Sequence, residues 1–244
     1  MDYIDYRDIK KELSHSNLIG VGTTAYCYKL DNGTVVKIYK KMNVNKYALT
    51  KELFSSDLER FHDVSNDTFV SMDKIVLNNY DIAGYTYPYA EGRSLKEYSN
   101  KIRLNKVFRN YQKVLTDTKD ISAKGFRLFD IHSGNIIISC SGLKVIDLDK
   151  CEFRENTYPK INISINSSEL FDNIFGHIYR KKTFETLIFL DEDIQYLYNN
   201  LDKTDYQAVI NFLNYLKEYI QNDNPTLEDV KKKVKVKKII NDYR

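Results

Sequence analysis

The sequence lacks any long apolar run. A helix that spans a bilayer needs about 20 consecutive apolar residues, and no segment approaches that length. Hydrophobic residues make up 42% and charged residues 29% of the 244 residues, which excludes the charged, weakly apolar composition of disordered chains. The sequence therefore predicts a soluble globular protein with a substantial core and no membrane span.

The first residues also lack the apolar centre of a secretory signal. The segment MDYIDYRDIKKEL is charged from its second residue onward, whereas a signal peptide has an apolar stretch after a short basic start. We therefore expect a cytoplasmic protein.

Cysteine is scarce, and no pair of cysteines has CxxC spacing. The three cysteines are Cys27, Cys140 and Cys151. An odd, scattered set excludes a disulfide framework and a structural zinc site. We expect these thiols to serve as small residues in or near the core.

A strong excess of one charge is also missing. The net charge of +3 comes from 37 basic and 34 acidic residues, a balance too even to indicate a nucleic-acid partner. The local excess KKKVKVKK at 231–238 has no alternating aromatic residues that would stack on bases. It is typical of a solvated helix end or a basic tail.

The N-terminal part of the chain has a strand-rich pattern. LIGVGTTAYCYKL and TVVKIY alternate with β-branched and aromatic residues, and Asp31-Asn32-Gly33 predicts a tight turn between them. A further strand pair is predicted over 69–77 and 81–89, with a turn at Asn78-Asn79. Residues 43–62 have a helical period.

After residue 90 the pattern becomes mainly helical. The segment 94–125 is charged with a helical period, and two short apolar strands, NIIIS and LKVIDL, follow it. From about Ser167 the helical pattern resumes and includes SSELFDNIFGHIYR and DYQAVINFLNYLKEYI. We predict an N-terminal lobe over 1–90 and a C-terminal helical lobe over 91–244.

Two features of the first lobe are suited to phosphate binding. Gly20 and Gly22 lie in a strand-turn-strand segment where backbone N–H groups can approach phosphate oxygens. A strand follows them, and not the helix that a dinucleotide-binding turn requires. Lys37 lies within the apolar strand VVKIY and needs a partner; Glu52 in the predicted helix is suitably placed, with Glu59 as the alternative.

The second lobe contains two oxygen-rich motifs beside apolar strands. Asp130 and Asn135 lie in FDIHSGN, immediately before the strand IIIS, and Asp147 ends the strand in LKVIDLD. A hairpin between these strands would bring Asp147 back beside Asn135. Carboxylate and amide oxygens of this kind are ligands that suit Mg²⁺.

Together these motifs resemble the protein-kinase-like superfamily, including its aminoglycoside and choline kinase branch. GVGTTAYC is similar to the Gly-rich loop, VVKIY to the strand with the phosphate-binding lysine, TYPYAEGRSL to the hinge, and DIHSGN to the catalytic loop. The resemblance covers roughly residues 17–150. It implies an α+β, bilobal fold in which an antiparallel sheet with one helix precedes a mainly helical lobe.

The resemblance also implies roles for single residues. Asp130 would be the catalytic base, and Asn135 and Asp147 would be the magnesium ligands. ATP would be bound by Gly20, Gly22, Lys37, Glu52, His132 and the hinge backbone at Tyr89 and Ala90. The expected partners are ATP and an unidentified hydroxyl-bearing acceptor, with Mg²⁺ as cofactor.

The sequence departs from the family pattern at several positions. Ala25 replaces the third glycine of the loop, and Cys27 stands where a valine usually covers the adenine. Leu128 and Phe129 replace the His-Arg pair before Asp130, so regulation through a phosphorylated activation loop is not expected. Asp147 is followed by Leu148-Asp149 and not by Phe-Gly, which gives no support for a standard peptide-docking surface.

The resemblance therefore implies an ATP-dependent kinase that transfers the γ-phosphoryl group to a hydroxyl. The segment SSELFDNIFGHIYR resembles the central C-lobe helix of protein kinases, with Asp172 at its start, which favours a protein Ser/Thr acceptor over a small molecule. A nucleotide-binding pseudokinase is the alternative, although Lys37, Asp130, Asn135 and Asp147 are all present. A purely structural or interaction protein is the third possibility.

Overall fold

The computed structural model describes most of the chain. The described residues are 3–15, 17–40, 60–61, 63–79, 81–98, 100–148, 151–154, 158–179, 187–234 and 236–238. The chain divides into two compact units. The N-terminal unit is Met1–Ala90 with Asp147–Asp149, and the C-terminal unit is Glu91–Ile146 with Lys150–Arg244.

The N-terminal unit is built on a six-stranded sheet with one helix before its second strand. Its elements are β1 (Tyr3–Asp5), α1 (Tyr6–His15), β2 (Asn17–Val21), β3 (Ala25–Lys29), β4 (Thr34–Tyr39), β5 (Ile75–Asn78) and β6 (Asp81–Pro88). The strand order is β1-β5-β6-β4-β3-β2. All neighbouring strands are antiparallel except β1, which runs parallel to β5.

Local turn chemistry explains the two hairpins predicted from the sequence. Gly33 has a φ of 80° and Asn79 a φ of 58°, in the left-handed region that Gly and Asn tolerate best. The Asn32 side chain also accepts a hydrogen bond from the Thr34 N–H at 2.9 Å. Both turns therefore lie where the sequence predicts them.

Helix α1 covers one face of this sheet. Its Ile9 packs with Leu30, Val36 and Val76 in a buried cluster. Successive side chains of a strand point to opposite faces, so the neighbour of Val36, Lys37, points away from α1. The sheet thus has an apolar face under α1 and an opposite face that includes Lys37.

The C-terminal unit is mainly helical. Its helices are a short 3-10 helix (Leu95–Tyr98), α2 (Leu104–Val107), α3 (Tyr111–Ala123), α4 (Pro159–Tyr179), α5 (Glu192–Asn199), α6 (Tyr206–Ile220) and α7 (Leu227–Lys233). Its strands are β7 (Arg93–Ser94), β8 (Phe126–Arg127), β9 (Ile136–Ile138), β10 (Leu143–Val145), β11 (Glu152–Phe153), β12 (Leu187–Phe189) and β13 (Val236–Lys238). They form the sheets β10-β9-β7, β11-β8 and β12-β13.

Helix α4 lies at the centre of the core of this unit. Phe171 and Phe175 on α4 are fully buried, with ring centroids 4.9 Å apart. Rings from other elements surround them: Phe108, Tyr198 and Phe212 lie 5.9–6.3 Å from these two. Aromatic pairs at such distances stabilise the core beyond the area they bury.

The predicted mixed fold of sheet followed by helices is confirmed, with corrections of detail. Residues 17–39 form three strands and not two, because the predicted strand-turn-strand segment around Gly20 and Gly22 has its turn at Gly22 to Thr24. The strand predicted from residue 69 begins at Ile75. Of the helix predicted over 43–62, only residues 60 and 61 are described, and they are helical. None of the helices in the described ranges is long and apolar enough to cross a membrane.

Candidate functional site

The glycine-rich segment forms the turn between β2 and β3. Val21 pairs with Tyr26, and the Gly22 N–H donates to the Ala25 carbonyl at 2.9 Å. A Cβ added at Gly20 would lie 3.6 Å from Cys27 Cβ, and one at Gly22 would lie 3.5 Å from Ala25 O, which are ordinary contacts. These contacts therefore give no steric reason for glycine at either position, and the predicted approach of a phosphate to this backbone stays a prediction.

A lysine that the sequence reasoning missed holds this turn. The Lys40 N–H donates to the Thr24 carbonyl at 2.8 Å, and its ammonium donates to the Gly22 carbonyl at 2.7 Å. The ammonium also lies 4.8 Å from the centroid of the Tyr26 ring. Lys40 follows directly after β4, so its contacts connect the glycine turn to the strand that carries Lys37.

Lys37 is buried in the middle of β4, with only 6% of its surface exposed. Its ammonium forms an ion pair with the Asp147 carboxylate. Both predicted partners, Glu52 and Glu59, lie outside the described residues. A buried ammonium needs a carboxylate and hydrogen bonds to offset its lost hydration, and Asp147 supplies them within the N-terminal unit.

Asp147 is held in an unusual backbone conformation. Its φ is 63°, in the left-handed region. The Tyr85 hydroxyl donates to Asp147 Oδ1 at 3.3 Å, the same oxygen that the Lys37 ammonium meets. Non-glycine residues in this region are uncommon and cluster at functional sites, although Asp tolerates it better than most.

The predicted hinge follows β6. The Tyr89 N–H donates to the Gly33 carbonyl at 2.9 Å, and the Lys29 ammonium lies 3.8 Å from the centroid of the Tyr89 ring. Ala90 is buried. The Tyr89 N–H is thus bonded within the unit, and the predicted contact of the Tyr89 and Ala90 backbone with an adenine stays a prediction.

In the C-terminal unit, Asp130 and Asn135 lie in one tight turn before β9. Asp130 is exposed and has a φ of 55°. The buried Asn135 side chain donates through Nδ2 to the Asp130 carbonyl at 3.3 Å, and its N–H donates to the His132 carbonyl at 2.8 Å. The turn therefore fixes Asn135, whereas Asp130 is an exposed residue at its start.

His132 contributes to the shape of this turn. Its Nδ1 accepts a hydrogen bond from the Gly134 N–H at 3.0 Å, and the residue is exposed. This contact gives His132 a local structural role. Its predicted part in ATP binding stays a prediction.

Strands β9 and β10 pair as the sequence predicted. Val145 pairs with Ile136, and the Ile146 N–H donates to the Asn135 carbonyl at 2.9 Å. Asp147 is the next residue in the chain. The hairpin thus pairs residue 146 with Asn135 through the backbone, which is the register that the sequence analysis used.

Two buried side chains that sequence reasoning missed anchor the segment before Asp130. Asn166 on α4 accepts from the Leu128 N–H at 2.9 Å and donates to the Phe126 carbonyl at 2.8 Å. Cys151 Sγ accepts from the Phe129 N–H at 3.4 Å. The available signal for Asn166 was a polar residue in an apolar helical segment, which needs a buried partner.

Helix α4 begins at Pro159, so the prediction that Asp172 lies at the start of a helix is wrong. Asp172 is in the middle of α4, where it accepts from the Tyr198 hydroxyl at 2.5 Å and from the Lys203 ammonium at 2.6 Å. Asp172 therefore connects α4 to the chain around α5. The contact to the segment before Asp130 comes from Asn166, nearer the start of the helix.

Glu169, also on α4, is a carboxyl with a perturbed pKa near Asp130. Burial raises its pKa, a hydrogen bond from the Asn173 amide lowers it, and the charges of Asp172 and Asp130 raise it further. The charge of Arg127 acts in the opposite direction. Burial and neighbouring carboxylates thus favour the protonated form.

The available oxygen ligands fit a magnesium ion better than a zinc ion. In the part of the chain that the structure describes, no group of three or more His, Cys, Asp or Glu side chains is arranged to hold a metal. Magnesium is usually bound through one or two protein oxygen ligands together with substrate phosphates and water. The Asp147 carboxylate and the Asn135 amide each have an oxygen of this kind, and binding of Mg²⁺ by the two together stays a prediction.

No protein-family model matches the sequence. No curated protein matches it either.

The comparison with solved structures identifies the fold as protein-kinase-like. One matching structure is the apo GRMZM2G135359 pseudokinase, with a TM-score of 0.55 and 13% sequence identity. The match covers 82% of this chain and 77% of that chain. At this identity the likeness establishes the fold alone.

Proposed function

We propose that the protein is a Mg²⁺- and ATP-dependent phosphotransferase that moves the γ-phosphoryl group of ATP to a hydroxyl acceptor. The observation that carries the proposal is the ion pair between Lys37 and Asp147. The sequence indicates these two residues for different reasons, Lys37 for phosphate binding and Asp147 for metal binding. They are far apart in the chain, and the fold brings their charged groups into contact.

Each selected residue has a distinct role in this proposal. The Lys37 ammonium attracts the phosphate oxygens, and the backbone of the Gly20–Gly22 turn approaches them. The exposed Asp130 carboxylate orients the acceptor hydroxyl and takes its proton. Asp147 and Asn135 would hold Mg²⁺, which offsets the negative charge of the phosphates when it is bound.

The acceptor class that we propose is a protein Ser or Thr residue. The likeness of α4 to the central C-lobe helix of protein kinases supports it, because α4 lies at the centre of the helical core. An aminoglycoside- or choline-like small molecule is the alternative.

A pseudokinase is the second candidate function. The protein-kinase-like structure named above is described as a pseudokinase, which favours this candidate. Against it, this chain has Lys37, Asp130, Asn135 and Asp147, the residues whose loss would disable phosphoryl transfer. The distinction therefore requires a measurement of turnover.

The deciding experiment compares the wild-type protein with Asp130→Ala and Asp147→Ala. The three proteins are incubated with γ-labelled ATP and Mg²⁺, and label is followed into protein, water and small-molecule fractions. We expect Asp130→Ala to lose at least about 100-fold in turnover and to keep nucleotide binding. We expect Asp147→Ala to lose Mg²⁺-dependent nucleotide binding as well.

The labelled fraction identifies the acceptor class. Label in protein supports the Ser/Thr acceptor, and label in an added aminoglycoside or choline supports the alternative. Wild-type turnover by Asp130→Ala would overturn the assignment of the base. Nucleotide binding with no transfer to any acceptor or water would favour the pseudokinase.

A further inference from the structure

Tyr85 is a buried tyrosine on β6 whose side chain lies beside Lys37. The two residues are direct partners in the pairing of β4 with β6. Side chains of directly paired residues project to the same face of a sheet, and both of these reach Asp147. We propose that the Tyr85 hydroxyl is a positioning residue that orients the Asp147 carboxylate for a Mg²⁺–nucleotide complex, an inference that rests on the proposed function.

The position of the hydroxyl is well determined by its surroundings. Tyr85 is 3% exposed, and its ring contacts those of Tyr39 and Tyr87, with centroid distances of 6.3 Å and 5.9 Å. A tyrosine has few rotatable bonds, so a buried ring with these contacts gives the hydroxyl little freedom. Its hydrogen bond to Asp147 Oδ1 at 3.3 Å is therefore a fixed feature of the sheet face.

Two donors on one oxygen restrict rotation of the carboxylate. The Lys37 ammonium and the Tyr85 hydroxyl both meet Oδ1, and together they determine the direction of Oδ2. Restriction of this kind is what partner groups of a metal-binding carboxylate provide, and loss of such a partner typically costs 10- to 100-fold in metal affinity.

A bound nucleotide would affect the two donors, the Lys37 ammonium and the Tyr85 hydroxyl, differently. In the proposed function the Lys37 ammonium contacts phosphate oxygens, which draws it away from Asp147. A tyrosine hydroxyl is neutral, so it keeps its hydrogen bond to the carboxylate without repelling a cation there. Tyr85 thus maintains the orientation of Asp147 when Lys37 changes partner.

The same strand provides a matched control. Tyr87 is also buried, lies on the same face, and has its hydroxyl 3.8 Å from Cys27 Sγ. Tyr87→Phe removes the same atom as Tyr85→Phe but not a partner of Asp147. A general effect of losing a buried hydroxyl would appear in both variants.

The test measures binding of ADP by calorimetry at a series of Mg²⁺ concentrations, and with Mg²⁺ removed by a chelator. We expect Tyr85→Phe to raise the Mg²⁺ concentration needed for half-maximal enhancement of binding by about 10-fold. Binding without Mg²⁺ should stay within about 2-fold of wild type, since the hydroxyl acts on a metal ligand and not on the phosphates. Tyr87→Phe should leave the Mg²⁺ concentration for half-maximal enhancement at the wild-type value, whatever its effect on binding of ADP itself.

A second variant separates positioning of Asp147 from packing of the sheet. In the background of Asp147→Asn, Tyr85→Phe should cause no further change in Mg²⁺ dependence, because the two substitutions remove the same interaction. An unchanged Mg²⁺ dependence in Tyr85→Phe, or an equal loss in Tyr87→Phe, would overturn the inference alone. Absence of ADP binding by the wild type, with and without Mg²⁺, would overturn the proposed function together with it.

Discussion

The residue with the tightest steric requirement in the N-terminal unit is Gly84, on β6. It pairs with Ile38 on β4, and an added Cβ would overlap the Lys37 carbonyl and lie 3.1 Å from the Ile38 Cα. The overlapped atoms belong to the backbone, which cannot move aside as a flexible side chain can. Gly84 therefore sets how closely β6 approaches the strand that carries Lys37.

We expect Gly84→Ala to lower the free energy of unfolding by about 3 kcal/mol, at the upper end of the range for overpacked positions. Gly176 on α4 is the matched control, because an added Cβ there meets nothing within 4 Å. Gly176→Ala should stabilise by about 0.5–1 kcal/mol, since alanine is the better helix former. Urea unfolding of both variants measures the difference, and equal midpoints would contradict the steric argument.

The types of the residues were enough to predict the members of the site from the sequence, but not the contacts between them. Lys37, Asp130, Asn135 and Asp147 could be selected because charged and amide residues beside apolar strands are conspicuous. The strict requirement for glycine at 84, by contrast, arises from the separation of two strands, which composition does not encode. The contact between Lys37 and Asp147 was missed for the same reason, because it connects distant parts of the chain.

Among the elements, α4 has the most direct link to the candidate base. Its Asn166 side chain is fully buried and makes three hydrogen bonds, to Leu128 N, Phe126 O and Ser122 Oγ. These contacts hold the two-residue strand β8 and the chain that leaves it toward Asp130. Strand β8 pairs with β11, which also has two residues, so the asparagine adds hydrogen bonds to a short ladder.

We expect Asn166→Leu to lower the free energy of unfolding by about 2–3 kcal/mol, because it leaves buried backbone groups without partners. It should also speed hydrogen exchange of the Leu128 amide. Asn173→Ala is the control on the same helix, since the Asn173 amide donates only to Glu169 one turn earlier. Slow exchange at Leu128 in Asn166→Leu would show that α4 does not hold this segment.

Elements with a strong local pattern were predictable, and elements formed by long-range pairing were not. Strands β3, β4, β9 and β10 have alternating or continuous apolar residues beside turn signals, and each lies where predicted. Strands β1, β12 and β13 have three residues each and depend on partners elsewhere in the chain. The start of α4 at Pro159 was missed because Ile161, Ile163 and Ile165 alternate with polar residues, a period of two that is typical of a strand and not of a helix.

At the scale of the whole molecule, the sequence does not show that the chain returns to the N-terminal unit after β10. The predicted boundary at residue 90 depends on a change in pattern, whereas Asp147–Asp149 belong to the N-terminal unit through contacts alone. A three-residue segment has no compositional signature of its own. The three-dimensional structure is therefore needed to assign this segment to a unit, whereas the kinase-like order of motifs can be recognised from the sequence.

The dependence of stability on pH is also a property of the whole molecule, and its groups act in opposite directions. Hydrogen bonds from Thr204 and from Thr226 hold the pKa values of Asp202 and Asp229 below the usual value of 3.8. Their stabilisation is present above that pH and is lost as the pH falls through the lowered values. Glu169 behaves in the reverse manner, because burial raises its pKa above 4.5.

The sign for Glu169 follows from proton binding. Between pH 4.5 and its raised pKa, the folded chain holds a proton on Glu169 that the unfolded chain has lost, so stability falls as the pH rises through this interval. We expect the Glu169→Gln variant, which cannot titrate, to lack this decline and to gain on the wild type as the pH increases. Chemical denaturation from pH 4 to 8 measures it. Asp229→Asn is the control, because the stabilisation by Asp229 varies with pH mainly below 3.8, so its loss should be nearly constant over this range. A constant difference between Glu169→Gln and wild type across that range would mean that Glu169 has the same pKa in both states, and would remove the argument that burial beside Asp130 favours its protonated form.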